Sequence, residues 1–231
     1  MGKALLIAFF YTLAIYCLGQ NDIGIKIYQN TDIFETSYNE YETGEVTKVK
    51  NINFTRVTVA VNLSKRNGTS HEIELFIPEI SKSLNHVLYP QNYGFNKSSM
   101  YDGTVSTYSL RYTVSKTLTP NSKPLAFQVG TGINPYYIFI EYEPNVETTF
   151  YSSTKLYGFV LNLTPELKYK FNKRFSTDVS VPLKIYDLRR NKTTIKNPHI
   201  PVHQQTFNNT RNIFFENAYT IRIGLKYKLS K

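Results

Sequence analysis

The feature that most constrains this chain is a period-two alternation of apolar and polar residues running through nearly all of it after residue 20. In the segment Tyr157 to Phe171 the odd positions are Tyr157, Phe159, Leu161, Leu163, Pro165, Leu167, Tyr169 and Phe171. The even positions, apart from Val160, are small, polar or charged. Successive side chains of a β-strand point to opposite faces, so such a run has one greasy and one polar environment. A helix would scatter the same residues around its circumference.

The pattern recurs often enough to set strand number and order. It predicts eight strands over about 22–36, 51–64, 70–79, 104–118, 123–133, 155–171, 175–188 and 216–230. Asn67-Gly68 marks a hairpin between the second and third, because this pair suits the left-handed backbone of a tight turn. Asn172-Lys173-Arg174 joins the sixth and seventh, and folding about Lys173 sets Lys168 opposite Asp178. Ile52 and Phe54 are out of phase with Val57, which predicts a bulge at Thr55-Arg56. Pro165 and Pro182 remove two ladder donors at nearly one height, which predicts a shared bulge or local break. Pro135 to Tyr142 is β-prone and is expected to extend the fifth strand; a ten-stranded count is the alternative.

The connections alternate without exception. Those after the second, fourth and sixth strands are short; 37–50, 80–103, 134–154 and 189–215 are long. An antiparallel up-and-down barrel with both termini at the short-turn end satisfies this order, and closure leaves no sheet edge. Charged residues recur on the polar face: Glu74, Arg111, Glu166, Lys168, Asp178, Lys184, Arg222 and Lys226. In a membrane-embedded barrel that face lines the lumen, where the two signs must pair. Aromatics such as Tyr157, Tyr169, Phe175, Tyr219 and Tyr227 fall near the ends of the apolar stripes, as an interfacial girdle requires.

Residues 1–19 read as a secretory signal, with Lys3 before an apolar run and Cys17-Leu18-Gly19 before cleavage. Residues 20–231 then form a single barrel domain. Cleavage removes the only Cys, leaving no disulfide and no cysteine-based zinc site. The formal net charge is +10. Charge alone admits nucleic acid or lipid phosphate as partner, but an exported chain without zinc-finger spacing, P-loop or RNP run argues against nucleic acid.

The ending Tyr219-Thr-Ile-Arg-Ile-Gly-Leu-Lys-Tyr-Lys-Leu229 and the strand Leu163-Thr-Pro-Glu-Leu-Lys-Tyr-Lys-Phe171 carry a resemblance. The chain resembles small bacterial outer-membrane β-barrel proteins. They are the eight-stranded kind represented by the OmpA transmembrane domain and OmpX-like proteins, and the likeness is greatest to those of the Bacteroidetes. The resemblance implies residence in the bacterial outer membrane and a last strand, within 216–231, read by the barrel-insertion machinery. It implies a structural or surface-interaction role through the long loops. Unlike the family's usual ending, the final aromatic, Tyr227, is followed by four further residues.

Other chemistries find little support. A metal group from His86, His199, His203 and Asp102 is conceivable, but Pro198 and Pro201 forbid the helix that would bring His199 and His203 together. No metal, cofactor or catalytic residue is assigned. A lipid-modifying outer-membrane enzyme ranks third, behind a soluble lipocalin-like barrel that binds an apolar ligand. The segment 189–215 is basic, and Arg189, Arg190, Lys192 and Lys196 are the candidates for contact with lipopolysaccharide phosphates. Arg111, Glu166, Lys168 and Arg222 are expected to fill the lumen, because eight strands enclose a space just wide enough for side chains.

Overall fold

The computed structural model describes residues 22–39, 46–65, 67–75, 79–81, 101–119, 124–144, 150–215 and 218–229. They form the strands β1 (Asp22–Asn39), β2 (Val46–Ser64), β3 (Thr69–Leu75), β4 (Glu79–Ser81), β5 (Tyr101–Thr117) and β6 (Leu125–Pro144). These are followed by β7 (Ser152–Lys170), β8 (Phe175–Ser180), β9 (Leu183–Ile195), β10 (Thr206–Phe214) and β11 (Ala218–Lys228). A single turn of 3-10 helix, Val202–Gln204, lies between β9 and β10. The signal segment, residues 1–19, lies outside the described residues, as does His86.

All pairings are antiparallel, and they close on themselves. β1 pairs with β2, β2 with β3, β3 with β5, β5 with β6, β6 with β7, β7 with β8, β8 with β11, and β11 with β1. The result is a closed barrel of eight staves, with β4, β9 and β10 continuing three of them. Closure satisfies the backbone groups that an open sheet would leave on two edges.

The short turns have the expected chemistry. Gly68 sits at a φ of 80°, open to glycine at little steric cost, and Asn67 Oδ1 accepts from the Thr69 amide at 3.0 Å. After β7, Asn172 Oδ1 accepts from the amides of Arg174 and Phe175, both at 2.8 Å. Lys168 does face Asp178 in the ladder that follows. The bulge foreseen at Thr55-Arg56 is present: Asn30 pairs with Arg56 and Thr31 with Phe54, so Thr55 is passed over.

Three expectations need correction. First, the seventh stave is longer than the sequence suggests. Pro135 to Tyr142 extends the fifth predicted strand as expected, β6 running on to Pro144; the departure is in 189–215, expected as a connection, where β9 and β10 form a hairpin whose bend begins after Ile195. The polar composition of 189–215 hid the hairpin; it is β-structure without an apolar face to bury. Second, the break at the prolines belongs to one stave alone. β7 is continuous through Pro165, whereas Val181 and Pro182 separate β8 from β9. The Val181 amide donates to the Pro165 carbonyl at 3.1 Å. In an antiparallel strand a residue's N–H and C=O face the same neighbour, so the donor that Pro165 lacks is aimed at that interruption. Third, a register shift opposite Leu161/Asn162 leaves Ile185 unpaired and reverses the parity of β9. Tyr186 therefore faces outward, against Phe159 and Phe214, and not into the polar face with Lys184.

The distribution of polarity is inverted relative to a water-soluble domain. Ile27 and Ile223 on neighbouring staves are 51% and 56% exposed, while inward Glu74 and Arg222 are 0% and 2% exposed. The outward apolar belt is edged by aromatics. At the short-turn end Tyr169 meets Phe171 and Phe175 meets Tyr227, with ring centroids 5.2 and 5.1 Å apart. At the other end Tyr108 meets Tyr137 at 6.4 Å, and Phe159 and Phe214 flank Tyr186. Phe159 and Tyr169 are ten residues apart on β7. At about 3.3 Å per residue and a tilt near 40° that corresponds to roughly 25 Å, the height of an outer-membrane apolar band.

Candidate functional site

The interior is a continuous polar network. Its centre is Tyr28, on β1. The guanidinium carbon of Arg222 lies 3.8 Å from the Tyr28 ring centroid, and the phenol donates to the carboxylate of Glu72 at 2.8 Å. Lys26 Nζ donates to the Tyr28 oxygen at 2.8 Å and lies 2.9 Å from Glu72, 3.1 Å from Asp178 and 3.4 Å from Glu166. Arg222 reaches Glu74 at 2.7 Å, and Arg111 reaches the same carboxylate oxygen at 3.2 Å. Thr58 donates to the other oxygen of Glu74.

These contacts tie staves on all sides of the barrel. Lys26 and Tyr28 come from β1, Thr58 from β2, Glu72 and Glu74 from β3, Arg111 from β5, Glu166 from β7, Asp178 from β8 and Arg222 from β11. Charges of opposite sign, held in hydrogen-bonded geometry, keep each other tolerable out of water. Glycine makes room for them: a Cβ on Gly224 would stand 2.5 Å from the Tyr28 ring and 2.7 Å from Asp178. The cross-section at this height is filled by side chains with almost no solvent exposure.

A second cluster lies further toward the long hairpins. Asp187 accepts from Tyr136 at 2.9 Å and from Arg189 at 2.6 Å, and Arg189 Nε also donates to the Tyr136 hydroxyl at 3.4 Å. The register shift at Ile185 turns Asp187 inward, which an uninterrupted alternation places outside.

Six of the residues singled out from the sequence, Glu74, Arg111, Glu166, Asp178, Arg222 and Lys226, are buried in the lumen. Lys168 and Lys184 are half-buried on the same side, opposite Asp178 and Asn162. Sequence reasoning missed Lys26, Tyr28 and Glu72. Parity could have found them: Lys26 and Tyr28 alternate with Ile23, Ile25 and Ile27, and Glu72 shares a face with Glu74.

The four basic residues of 189–215 divide. Arg189 turns inward to Asp187 and Tyr136. Arg190 and Lys192 are outward and exposed, with Arg190 5.9 Å from the Tyr157 ring. Lys196 lies 4.5 Å from the Tyr151 ring beyond the end of β9. Lys155 joins this surface from β7, directly opposite Lys192. Of the histidines, Nδ1 of His71 is 2.8 Å from the Tyr112 hydroxyl, His199 packs edge-on to Phe150, and His203 is exposed in the 3-10 turn. No group of three or more metal-ligating side chains occurs among the described residues.

No protein-family model matches the sequence, and no curated protein matches it. Solved structures similar in fold include Neisserial surface protein A, at 11% identity and a TM-score of 0.44, covering 90% of this chain and 97% of that one. The Escherichia coli outer membrane protein W is similar at 11% identity and a TM-score of 0.46, covering 91% and 99%. At this identity the likeness concerns architecture alone.

Proposed function

We propose that this chain is an integral protein of the bacterial outer membrane, an eight-stranded barrel of the OmpA/OmpX-like kind, with a lumen sealed by its own side chains. Its role is structural or one of surface interaction, carried by the hairpins beyond the belt, and no catalysis is assigned to it. The observation that carries this reading is the inversion of faces. Apolar side chains cover the outside while the paired charges of Lys26, Glu72, Glu74, Arg111 and Arg222 fill the inside. Only a lipid surround makes both faces favourable at once. A lipocalin-like carrier needs the opposite arrangement.

The outward cations supply a partner. Lys155 and Lys192 are cross-strand neighbours of like charge, an unfavourable pair unless an anion lies between them. Together with Arg190 they stand just past the aromatic edge at Tyr157, where headgroup phosphates would lie. In this reading the partner is lipopolysaccharide, bound by Lys155, Arg190, Lys192 and Lys196. The stretch 216–231, which contains β11, is the segment presented to the barrel-insertion machinery.

Electrophoresis of washed membranes in SDS, with and without boiling, tests the anchoring role. A faster band in the unboiled lane is expected. Recovery in the soluble fraction, with mobility indifferent to heat, would reverse the assignment of faces. Retention of lipopolysaccharide by the purified barrel should fall on charge reversal at Arg190 and Lys192; unchanged retention removes that contact.

A further inference from the structure

The short-turn mouth of the barrel opens into a cavity of about 710 Å³ whose charge is one-sided. Lys168, Lys170, Lys173, Arg174, Lys226 and Lys228 line it, and Lys65 adds a further cation from the turn after β2. Among the described residues the one lining carboxylate is Asp22, and Lys228 is ion-paired with it. We propose that this vestibule binds a compact, soluble polyanion of the phosphate type, such as a tripolyphosphate-like oxyanion.

The strongest argument comes from the floor. Lys226 is 5% exposed, and its ammonium donates to neutral acceptors, Asn62 Oδ1 at 2.5 Å and Ser64 Oγ at 3.3 Å. Lys168 lines the same space from β7. Neither comes within ion-pair distance of a carboxylate among the described residues; the carboxylates above point to Lys26, Arg111 and Arg222. Glu72, Glu166 and Asp178 converge on Lys26, and Glu74 takes Arg111 and Arg222. A cation withdrawn from water without a counterion is costly. Lys226 is such a cation, and with half-buried Lys168 beside it and five more cations around the mouth it makes a site that an anion would stabilise.

Size and donor type narrow the ligand. The volume falls within the range of roughly 300–1,000 Å³ usual for small-molecule sites, more than a single phosphate requires. Lysines are compact point charges with three donors each, suited to an oxyanion whose charge is spread over many oxygens. Ser70, Thr69, Gln128 and Ser176 add neutral polar groups to the wall. The site follows from the barrel's geometry and does not rest on the surface role proposed above.

The test is calorimetric titration of sodium tripolyphosphate into the full barrel, folded in a maltoside detergent, with sulfate at matched ionic strength as comparison. Saturable binding at one site per barrel is expected, at least tenfold tighter than sulfate, and weakened at least tenfold in the Lys168→Gln/Lys226→Gln variant. If that variant fails to give the heat-modifiable band, Lys170→Gln/Arg174→Gln, at the exposed rim, replaces it with the same expectation. Arg211→Gln, exposed on β10 at the other end, should bind as the parent does. Binding no tighter than sulfate, or equal in parent and vestibule variants, would mean general screening and overturns the proposal. Repeating the titration in nanodiscs of phosphatidylcholine, with and without phosphatidylglycerol, separates the sources. Equal affinity supports a soluble ligand, and marked weakening by phosphatidylglycerol would assign the vestibule to lipid headgroups instead.

Discussion

Arg222 of β11 sits over the ring of Tyr28 on the neighbouring stave, its guanidinium carbon 3.8 Å from the ring centroid. The same guanidinium is ion-paired with Glu74 at 2.7 Å and approaches Glu72 at 3.7 Å. One planar cation thus serves an aromatic face and two carboxylates while itself buried. Replacing it with alanine leaves Arg111 as the remaining charged partner of Glu74, beside the Thr58 hydroxyl, and removes a cation–π contact. Loss of one partner from a buried ion pair costs about 3–5 kcal/mol. Arg222→Ala should lower the urea midpoint of the barrel in lipid vesicles accordingly, read from the heat-modifiable band. A change below about 1 kcal/mol would mean that the network contributes little to stability.

Much of this centre was legible in the sequence because a barrel strand has only two faces. Once Ile221, Ile223 and Leu225 are assigned outward, Arg222 and Lys226 have nowhere else to go. The same logic reached Glu74, Arg111, Glu166 and Asp178. It failed where the count of two was interrupted. The unpaired Ile185 moves Asp187 into the lumen and Tyr186 out of it, and no local residue signal marks that shift. The vestibule was illegible for another reason. Its cations come from three separate segments, Lys65, Lys168 to Arg174, and Lys226 with Lys228, and only closure brings them together. The extended β9–β10 hairpin was hidden because it lies beyond the belt, where both faces meet water and alternation carries no information.

Electrical silence is a second expectation. An eight-stranded barrel has a lumen that side chains fill, and here Arg222, Tyr28, Lys26 and Glu74 are all but excluded from solvent at one level. The parent chain should show no stable open channel in a planar bilayer. Glu74→Ala/Arg222→Ala removes the largest matched pair in the plug and should admit brief small-ion currents. A steady, large conductance in the parent chain would contradict the sealed lumen.

The interruption between β8 and β9 should be visible in amide exchange. Pro165 offers no donor toward it, and the ladder between β7 and the seventh stave skips Ile185. Amides at Leu183 and Lys184 are therefore expected to exchange faster than those at Asp178 and Val179, which lie nearer the short-turn end on the same stave. Uniform protection from Phe175 through Asp187 would show that the stave is continuous in solution.

Gly158 provides the sharpest test of register. It pairs with Arg189 across β7 and β9, and a Cβ added there would collide with the backbone carbonyl of Leu188 and crowd the Tyr136 hydroxyl at 3.1 Å. A backbone oxygen cannot rotate aside as a flexible side chain can, so Gly158→Ala must push the two staves apart or shift their pairing. Forcing extra carbon into a packed site costs roughly 1–3 kcal/mol. Here the cost falls beside the Tyr136, Asp187 and Arg189 cluster, so amide protection in β9 and β10 should weaken while β1, β2 and β11 keep theirs. Gly68→Ala is the comparison, because its penalty of about 1 kcal/mol is confined to a turn with a φ of 80°. If Gly158→Ala proves as mild as Gly68→Ala, with β9 protection intact, the close approach of Leu188 to Gly158 is not a feature of the folded barrel.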